Sequence, residues 1–265
     1  MTRHVPRRRF GQNFLRDDAV IARIVAAVGP QADDLLVEIG PGLGALTRPL
    51  LERLNHLHVI EIDRDIVARL KLGFPAHRLT IHEGDVLKFN FSALGSHLRV
   101  VGNLPYNIST PVLFRLAQSA PSLRDAHVML QKEVVERMTA RPSSSEYGRL
   151  SVMLQYHFRM EKILDVPASA FQPAPKVESA LVRMRPLRCK PETAENESLF
   201  AELVASAFAQ RRKMLRNTLH GYFNARDFAE LRLDPRSRAQ NLAVADFVRA
   251  ANYLVRKQKD YPFFF

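Results

Sequence analysis

The 265 residues carry a formal net charge of +12, from 39 Lys and Arg against 27 Asp and Glu, and are 46% hydrophobic and 25% charged. That balance is ordinary for a folded soluble protein, and the length allows either one large domain or a larger and a smaller one. No apolar run approaches the roughly 20 residues needed to cross a bilayer, the basic start lacks the apolar segment of a secretion signal, and the lone Cys189 excludes an internal disulfide or a cysteine-based metal cluster.

A cytoplasmic protein without a membrane partner is expected. The excess positive charge points to a polyanionic partner, RNA or DNA. Its distribution sharpens this: residues 1–16 contain five arginines and no acid, and Arg211-Arg212-Lys213 with Arg216 form a second cluster.

In chain order, Val20, Ile21, Ile24, Val25 and Val28 recur at helical spacing, with Asp17 or Asp18 as N-cap and Gly29-Pro30 as the stop. A short buried strand over 35–39 follows, then a glycine turn over 40–44 and a helix over 45–54. Strands are expected at 57–62, 78–82, 98–102 and 124–130, and helices at 64–72, 110–119 and 132–139. This alternation is the signature of a parallel sheet covered on both faces by helices. The 141–145 stretch has turn composition. A helix over 149–157 and strands near 159–165 and 177–184 would complete a larger domain of residues 1–185. Residues 186–197 read as a linker. The remainder is helical over 198–209, 211–220, 226–232 and 244–257, giving a smaller all-helical C-terminal domain of residues 186–265.

Glu38-Ile39-Gly40-Pro41-Gly42-Leu43-Gly44 ends a strand and opens a helix, so its glycines can turn tightly and admit a ligand against the backbone. Gly40, Gly42 and Ala45 also satisfy the dinucleotide pattern G-x-G-x-x-A, which keeps a nicotinamide-dependent oxidoreductase open. Glu61, 19 residues after Gly42 at the end of the next strand, can accept both hydroxyls of a ribose with either cofactor. Asp85 follows the third strand, where it can accept a proton from an adenine amine. Asp63 is expected to cap the helix that starts at Arg64.

Asn103-Leu104-Pro105-Tyr106 follows the fourth strand. An amide, a proline-restricted backbone and an aromatic suit capture of a planar heterocycle. The Asn103 side-chain oxygen and the Leu104 carbonyl can accept the two hydrogens of an adenine exocyclic amine, and Tyr106 can stack on a base turned out of its helix. Such an amine is a poor nucleophile, so the catalytic task is to orient it and to favour the positive charge it develops in methyl transfer. A structural turn, with Tyr106 in the core, is the competing reading.

These segments together resemble a known family. Gly11-Gln12-Asn13-Phe14-Leu15, the 38–47 segment, Glu61-Ile62-Asp63, Glu83-Gly84-Asp85 and the 102–111 segment are similar to the bacterial ribosomal RNA small-subunit adenine dimethyltransferases. The likeness continues through Leu130-Gln131-Lys132-Glu133-Val134, Tyr147-Gly148-Arg149-Leu150-Ser151, the 171–179 segment and the 212–219 segment, nearly the whole chain. It implies a Rossmann-like S-adenosylmethionine-dependent methyltransferase sheet with the helical domain attached, and S-adenosylhomocysteine as product, with no metal. It also implies dimethylation of two adjacent adenosines in the 3′-terminal hairpin of 16S ribosomal RNA, by a monomer acting on a late precursor of the 30S subunit. By the same likeness Asn13, Leu15, Gly40, Gly42, Gly44, Glu61, Asp85 and Asn103 would hold the cofactor, and Asn103, Leu104, Pro105 and Tyr106 would form the catalytic tetrad.

Expected RNA contacts are Arg7, Arg8, Arg9, Arg149, Phe171, Lys176, Arg211, Arg212, Lys213 and Arg216. Phe171 is equally a core residue. Two alternatives remain: a 23S ribosomal RNA adenine methyltransferase of the macrolide-resistance type, and a non-catalytic RNA-binding assembly or transcription factor.

Overall fold

The computed structural model describes residues 12–190 and 192–260, so Arg7, Arg8 and Arg9 lie outside the described residues. The chain divides into two compact units. The first runs to Val135 and resumes over Phe158–Pro186; the second comprises Glu136–His157 and the chain from Leu187 onward.

The first unit contains β1 (Phe14–Leu15), α1 (Asp18–Val28), β2 (Leu36–Ile39), α2 (Thr47–Leu51), β3 (Leu57–Glu61), α3 (Arg64–Gly73), β4 (Leu79–Glu83), β5 (Leu98–Asn103), α4 (Ser109–Gln118) and β6 (Leu123–Gln131). The division of the chain falls within α5 (Lys132–Thr139); α6 (Arg149–Gln155) follows in the second unit, and β7 (Phe158–Val166), β8 (Phe171–Gln172) and β9 (Ser179–Pro186) return to the first. Seven strands form one sheet in the order β4-β3-β2-β5-β6-β9-β7. The neighbours from β4 to β6 are parallel, whereas β9 pairs antiparallel with both β6 and β7. The sheet is therefore mixed, where alternation alone suggested a parallel one.

Local chemistry accounts for the elements that matter to the site. Helix α1 buries Val20, Ile24, Val25 and Val28 on one stripe, is capped by the Asp17 carboxylate accepting from Val20 N at 3.0 Å, and stops at left-handed Gly29 (φ 55°). Strand β2 is buried at every position, as a central parallel strand requires. Its neighbour β5 approaches so closely that a Cβ on Gly102 would sit 2.7 Å from the Ile39 carbonyl oxygen, so glycine is needed immediately before Asn103. The strand order reverses between β2 and β5, the place where ligands of open α/β sheets bind, beyond the strands' carboxyl ends.

The second unit adds α7 (Glu197–Phe208), α8 (Leu215–Thr218), α9 (Ala225–Glu230) and α10 (Val244–Asp260). Two sequence expectations change here. Residues 149–157 do not complete the larger domain: Tyr147, Val152 and Tyr156 share a buried cluster with Phe200, Leu203, Phe247 and Leu254, so residues 136–157 belong with the helical unit. The helix expected over 211–220 shrinks to Leu215–Thr218, because its first donors turn elsewhere: Leu215 N donates to Ser237 O at 2.8 Å and Arg216 N to Pro235 O at 3.1 Å.

Candidate active site

A cavity of about 680 Å³ opens at the carboxyl ends of the strands. It collects Asn13 and Leu15 from β1 and its approach, Gly40, Gly42 and Gly44 from the turn after β2, Glu61 from the end of β3, Asp85 after β4, and the whole tetrad Asn103-Leu104-Pro105-Tyr106 after β5. Every cofactor and catalytic candidate read from the sequence thus lines one space. The volume suits a nucleoside-sized ligand, which sites of this class typically hold in about 300–1,000 Å³.

The turn is a cradle that side chains would fill. Gly42 has φ +54°, and a Cβ there would lie 3.0 Å from the Phe14 ring. Glu61 Oε1 accepts from Ile62 N and Asp63 N, both at 2.9 Å, and the carboxylate also accepts from Gly42 N, which ties the cradle to the end of β3. Asp63 caps α3 by accepting from Asp65 N at 3.1 Å, as expected. Asp85 combines two readings: Oδ1 accepts from Leu87 N at 2.9 Å, while its position still borders the cavity.

Behind the cradle, Glu38 is 2% exposed and accepts from the Thr47 hydroxyl at 2.7 Å. Burial pushes its carboxyl up to about 8, the Thr47 hydrogen bond opposing and Glu61 adding to the rise. Glu61 is also raised, by burial first, against its three backbone donors and with Asp63 adding. Neither carboxyl has a cationic partner among the described residues. Glu61 borders the cavity, and so its carboxyl can meet a ligand there. The glycine turn and the Glu61 carboxylate beside it fit a nucleoside cofactor.

In the tetrad, Asn103 Nδ2 donates to the Asn13 carbonyl at 2.9 Å. That bond uses the nitrogen end of the amide, and Oδ1 accepts from no described residue. The Leu104 carbonyl is equally without a donor among the described residues, while Leu104 N is held by Met129 O at 3.1 Å and the side chain is 1% exposed. Two acceptors are thus left at the strand end for an exocyclic amine. Tyr106 is half-buried, and its hydroxyl shares a 2.6 Å hydrogen bond with Ser179 Oγ. Burial raises its phenol, with Ser179 opposing, so it stays neutral. Ser179 is a residue the sequence reading passed over; its only signal was its place at the end of a segment carrying a family likeness.

Of the two readings of Phe171, its position favours the core residue. It is 4% exposed, belongs to the first unit's core and does not line the cavity; as β8 it pairs with Leu15 of β1 and so seats the amino-terminal arm. Lys176, Arg149, Arg212, Lys213 and Arg216 are exposed in their own units. Arg211 is exposed but already engaged, donating to the carbonyls of Ser145 and Tyr147 and so holding the 141–147 loop.

A mixed sheet of this order, with a glycine cradle at its switch point and an acceptor tetrad beside it, defines a Rossmann-like methyltransferase. A solved dimethyladenosine transferase from Plasmodium falciparum superposes with a TM-score of 0.79 at 27% identity, over 93% of this chain and 98% of that one. The solved 23S rRNA methyltransferase ErmE shares the fold, with a TM-score of 0.72 at 24% identity over 92% of this chain and 100% of that one. In sequence, the ribosomal RNA small subunit methyltransferase A of Thiobacillus denitrificans is 59% identical over 96% of this chain and 100% of its own. The profile of the ribosomal RNA adenine dimethylase family matches residues 3–256, and the chain belongs to that family: it is an enzyme that methylates adenine in ribosomal RNA.

Proposed function

We propose that this chain transfers methyl groups from S-adenosylmethionine to the exocyclic amines of two adjacent adenosines in the 3′-terminal hairpin of small-subunit ribosomal RNA, two methyls to each. The substrate would be a late precursor of the 30S subunit, and the enzyme would act as a monomer in the cytoplasm. One observation carries the chemistry: among the described residues, Asn103 Oδ1 and the Leu104 carbonyl have no donor at the rim of the cradle. The choice of small-subunit RNA is supported by the 59% identity to the ribosomal RNA small subunit methyltransferase A of Thiobacillus denitrificans.

When bound, the cofactor would supply an electrophilic methyl group on a positively charged sulfur. Glu61 would take the ribose, the glycine turn would lie against the nucleoside and methionine parts, and Asp85 would address the adenine ring. The two acceptors at Asn103 and Leu104 would fix the target amine, and their hydrogen bonds would strengthen as its nitrogen becomes positive. Tyr106, steadied by Ser179, would stack on the turned-out base. The amine needs no strong base, since it can lose its proton to water after transfer.

Beyond this site, Arg149, Lys176, Arg211, Arg212, Lys213 and Arg216, with Arg7, Arg8 and Arg9, would meet RNA phosphates. The deciding experiment is mass-spectrometric mapping of methylated nucleosides after incubation with undermethylated small subunits. Dimethyladenosine at two neighbouring positions of 16S RNA is expected. Methylation confined to 23S RNA would overturn the substrate.

A further inference from the structure

The amide of Asn103 is nearly symmetric in shape but opposite in chemistry at its two ends. Turned by half a rotation, it would present NH2 to an amine that needs an acceptor, and the site would repel its own substrate. The Asn13 carbonyl decides between the two, because it can only accept and therefore binds the nitrogen end. Asn13 itself is held from both sides. On its carboxyl side, Phe14 and Leu15 pair with Gln172 and Phe171, and Arg16 N donates to Ala170 O at 2.8 Å. On its amino side, Gln12 Nε2 donates to Asp63 Oδ2 at 3.1 Å. Asp63 in turn sits in the turn that delivers Glu61, since both Ile62 N and Asp63 N bond the Glu61 carboxylate.

We infer that Gln12 is a positioning residue: its bond to Asp63 latches the arm so that the Asn13 carbonyl holds the Asn103 amide with its oxygen toward the target amine. This rests on the reading of Asn103 as the acceptor for that amine. The latch also gives the two halves of the reaction a shared part, since the Glu61-Ile62-Asp63 turn borders the ribose position and anchors the residue that orients the base-binding amide. A sequence reading could find little here. Gln12 and Asp63 are 51 positions apart, and the contact exists only because the fold brings the arm to the turn after β3.

The test uses the full chain on undermethylated small subunits. Gln12→Ala is expected to lower kcat about five- to tenfold, the scale of one net hydrogen bond, with the KM for subunits and the Kd for S-adenosylhomocysteine within about twofold of the original. Gln12→Glu sets two carboxylates together and should lose activity in the same way. Adding Asp63→Asn to it reverses donor and acceptor, keeps the α3 cap, and should restore kcat. In protein with isotope-labelled asparagine, the Asn103 side-chain amide resonances should move in Gln12→Ala and return in the double exchange. An unchanged kcat, a loss expressed wholly as weaker cofactor binding, or a double exchange that recovers nothing would overturn the latch. Should the unaltered chain transfer no methyl to these subunits, the substrate reading fails instead, and the Asn103 resonances decide the latch by themselves.

Discussion

Replacing Glu38 by glutamine isolates the cost of burying an acid behind the cradle. An ordinary glutamate titrates at 4.5, and this one is pushed up to about 8 because burial penalises its charged form. The folded protein therefore binds more protons than the unfolded chain between those values, and stability must fall as pH rises across that window. Each tenfold change in proton affinity is worth about 1.4 kcal/mol, so the rise from 4.5 to about 8 amounts to about 5 kcal/mol of stability, present below pH 4.5 and lost by about pH 8. Glutamine copies the shape of the protonated acid and can still accept from Thr47, so Glu38→Gln should escape the loss. Urea unfolding, followed by amide exchange in peptides spanning Leu36–Ile39 and Leu98–Asn103, reports the first unit by itself. Near pH 4.5 the two proteins should unfold together, and near pH 8 the variant should be more stable by about 3–5 kcal/mol. Curves that decline in parallel across the window would refute the assignment of a buried, protonated Glu38.

The remaining expectations concern the site and its RNA surface. Asn103→Ala should leave the fold intact and cut methylation about a hundredfold or more, the usual cost of one preorganised catalytic hydrogen bond; single-turnover formation of methyladenosine measures it, and near-original turnover would remove Asn103 from the chemistry. Gly42→Ala forces a Cβ to within 3.0 Å of the Phe14 ring at φ +54° and should weaken cofactor binding, read by calorimetry with S-adenosylhomocysteine; unchanged affinity would mean that the arm gives way freely. Tyr106→Phe keeps the stacking ring but leaves the fully buried Ser179 hydroxyl without its partner, so a stability loss of about 1–3 kcal/mol with modest change in kcat is expected. Tyr106→Ala should instead raise the KM for the RNA substrate, and equal effects of the two changes would contradict a stacking role. Changing Arg211, Arg212 and Lys213 together should weaken RNA binding and flatten its dependence on salt while sparing cofactor affinity; an unaltered salt slope would move the RNA surface elsewhere.

Much of the first unit could be read from the chain because its signals are local. The apolar stripe of α1, its Asp17 cap and its Gly29 stop lie within a few positions of one another, and they form as the spacing predicts. Strands β2 to β6 announce themselves by short apolar runs between turn residues. What the pattern could not carry was pairing between distant segments. Strand β9 inserts antiparallel between β6 and β7, and its alternating residues would serve equally in a parallel sheet. Tyr147, Val152 and Tyr156 form an apolar face without saying which core receives it, and the second unit claims it. Likewise the 211–220 segment is helical by composition, but backbone contacts to Pro235 and Ser237 hold most of it in another form.

The site divides along the same line. Gly42, Glu61, Asp85 and Asn103 were legible because a sheet of this kind brings the carboxyl ends of its strands to one rim, so position in an element fixes position in the site. Roles that depend on a partner were not. Phe171 became a support once β1 paired with β8, and Ser179 mattered once Tyr106 reached it. Glu38 stood in the glycine motif from the start, yet its protonation follows from burial that no spacing reports. The glycine turn can serve a dinucleotide or a sulfonium nucleoside, and what decides for methyl transfer is the adenine dimethylase family that the chain matches over residues 3–256.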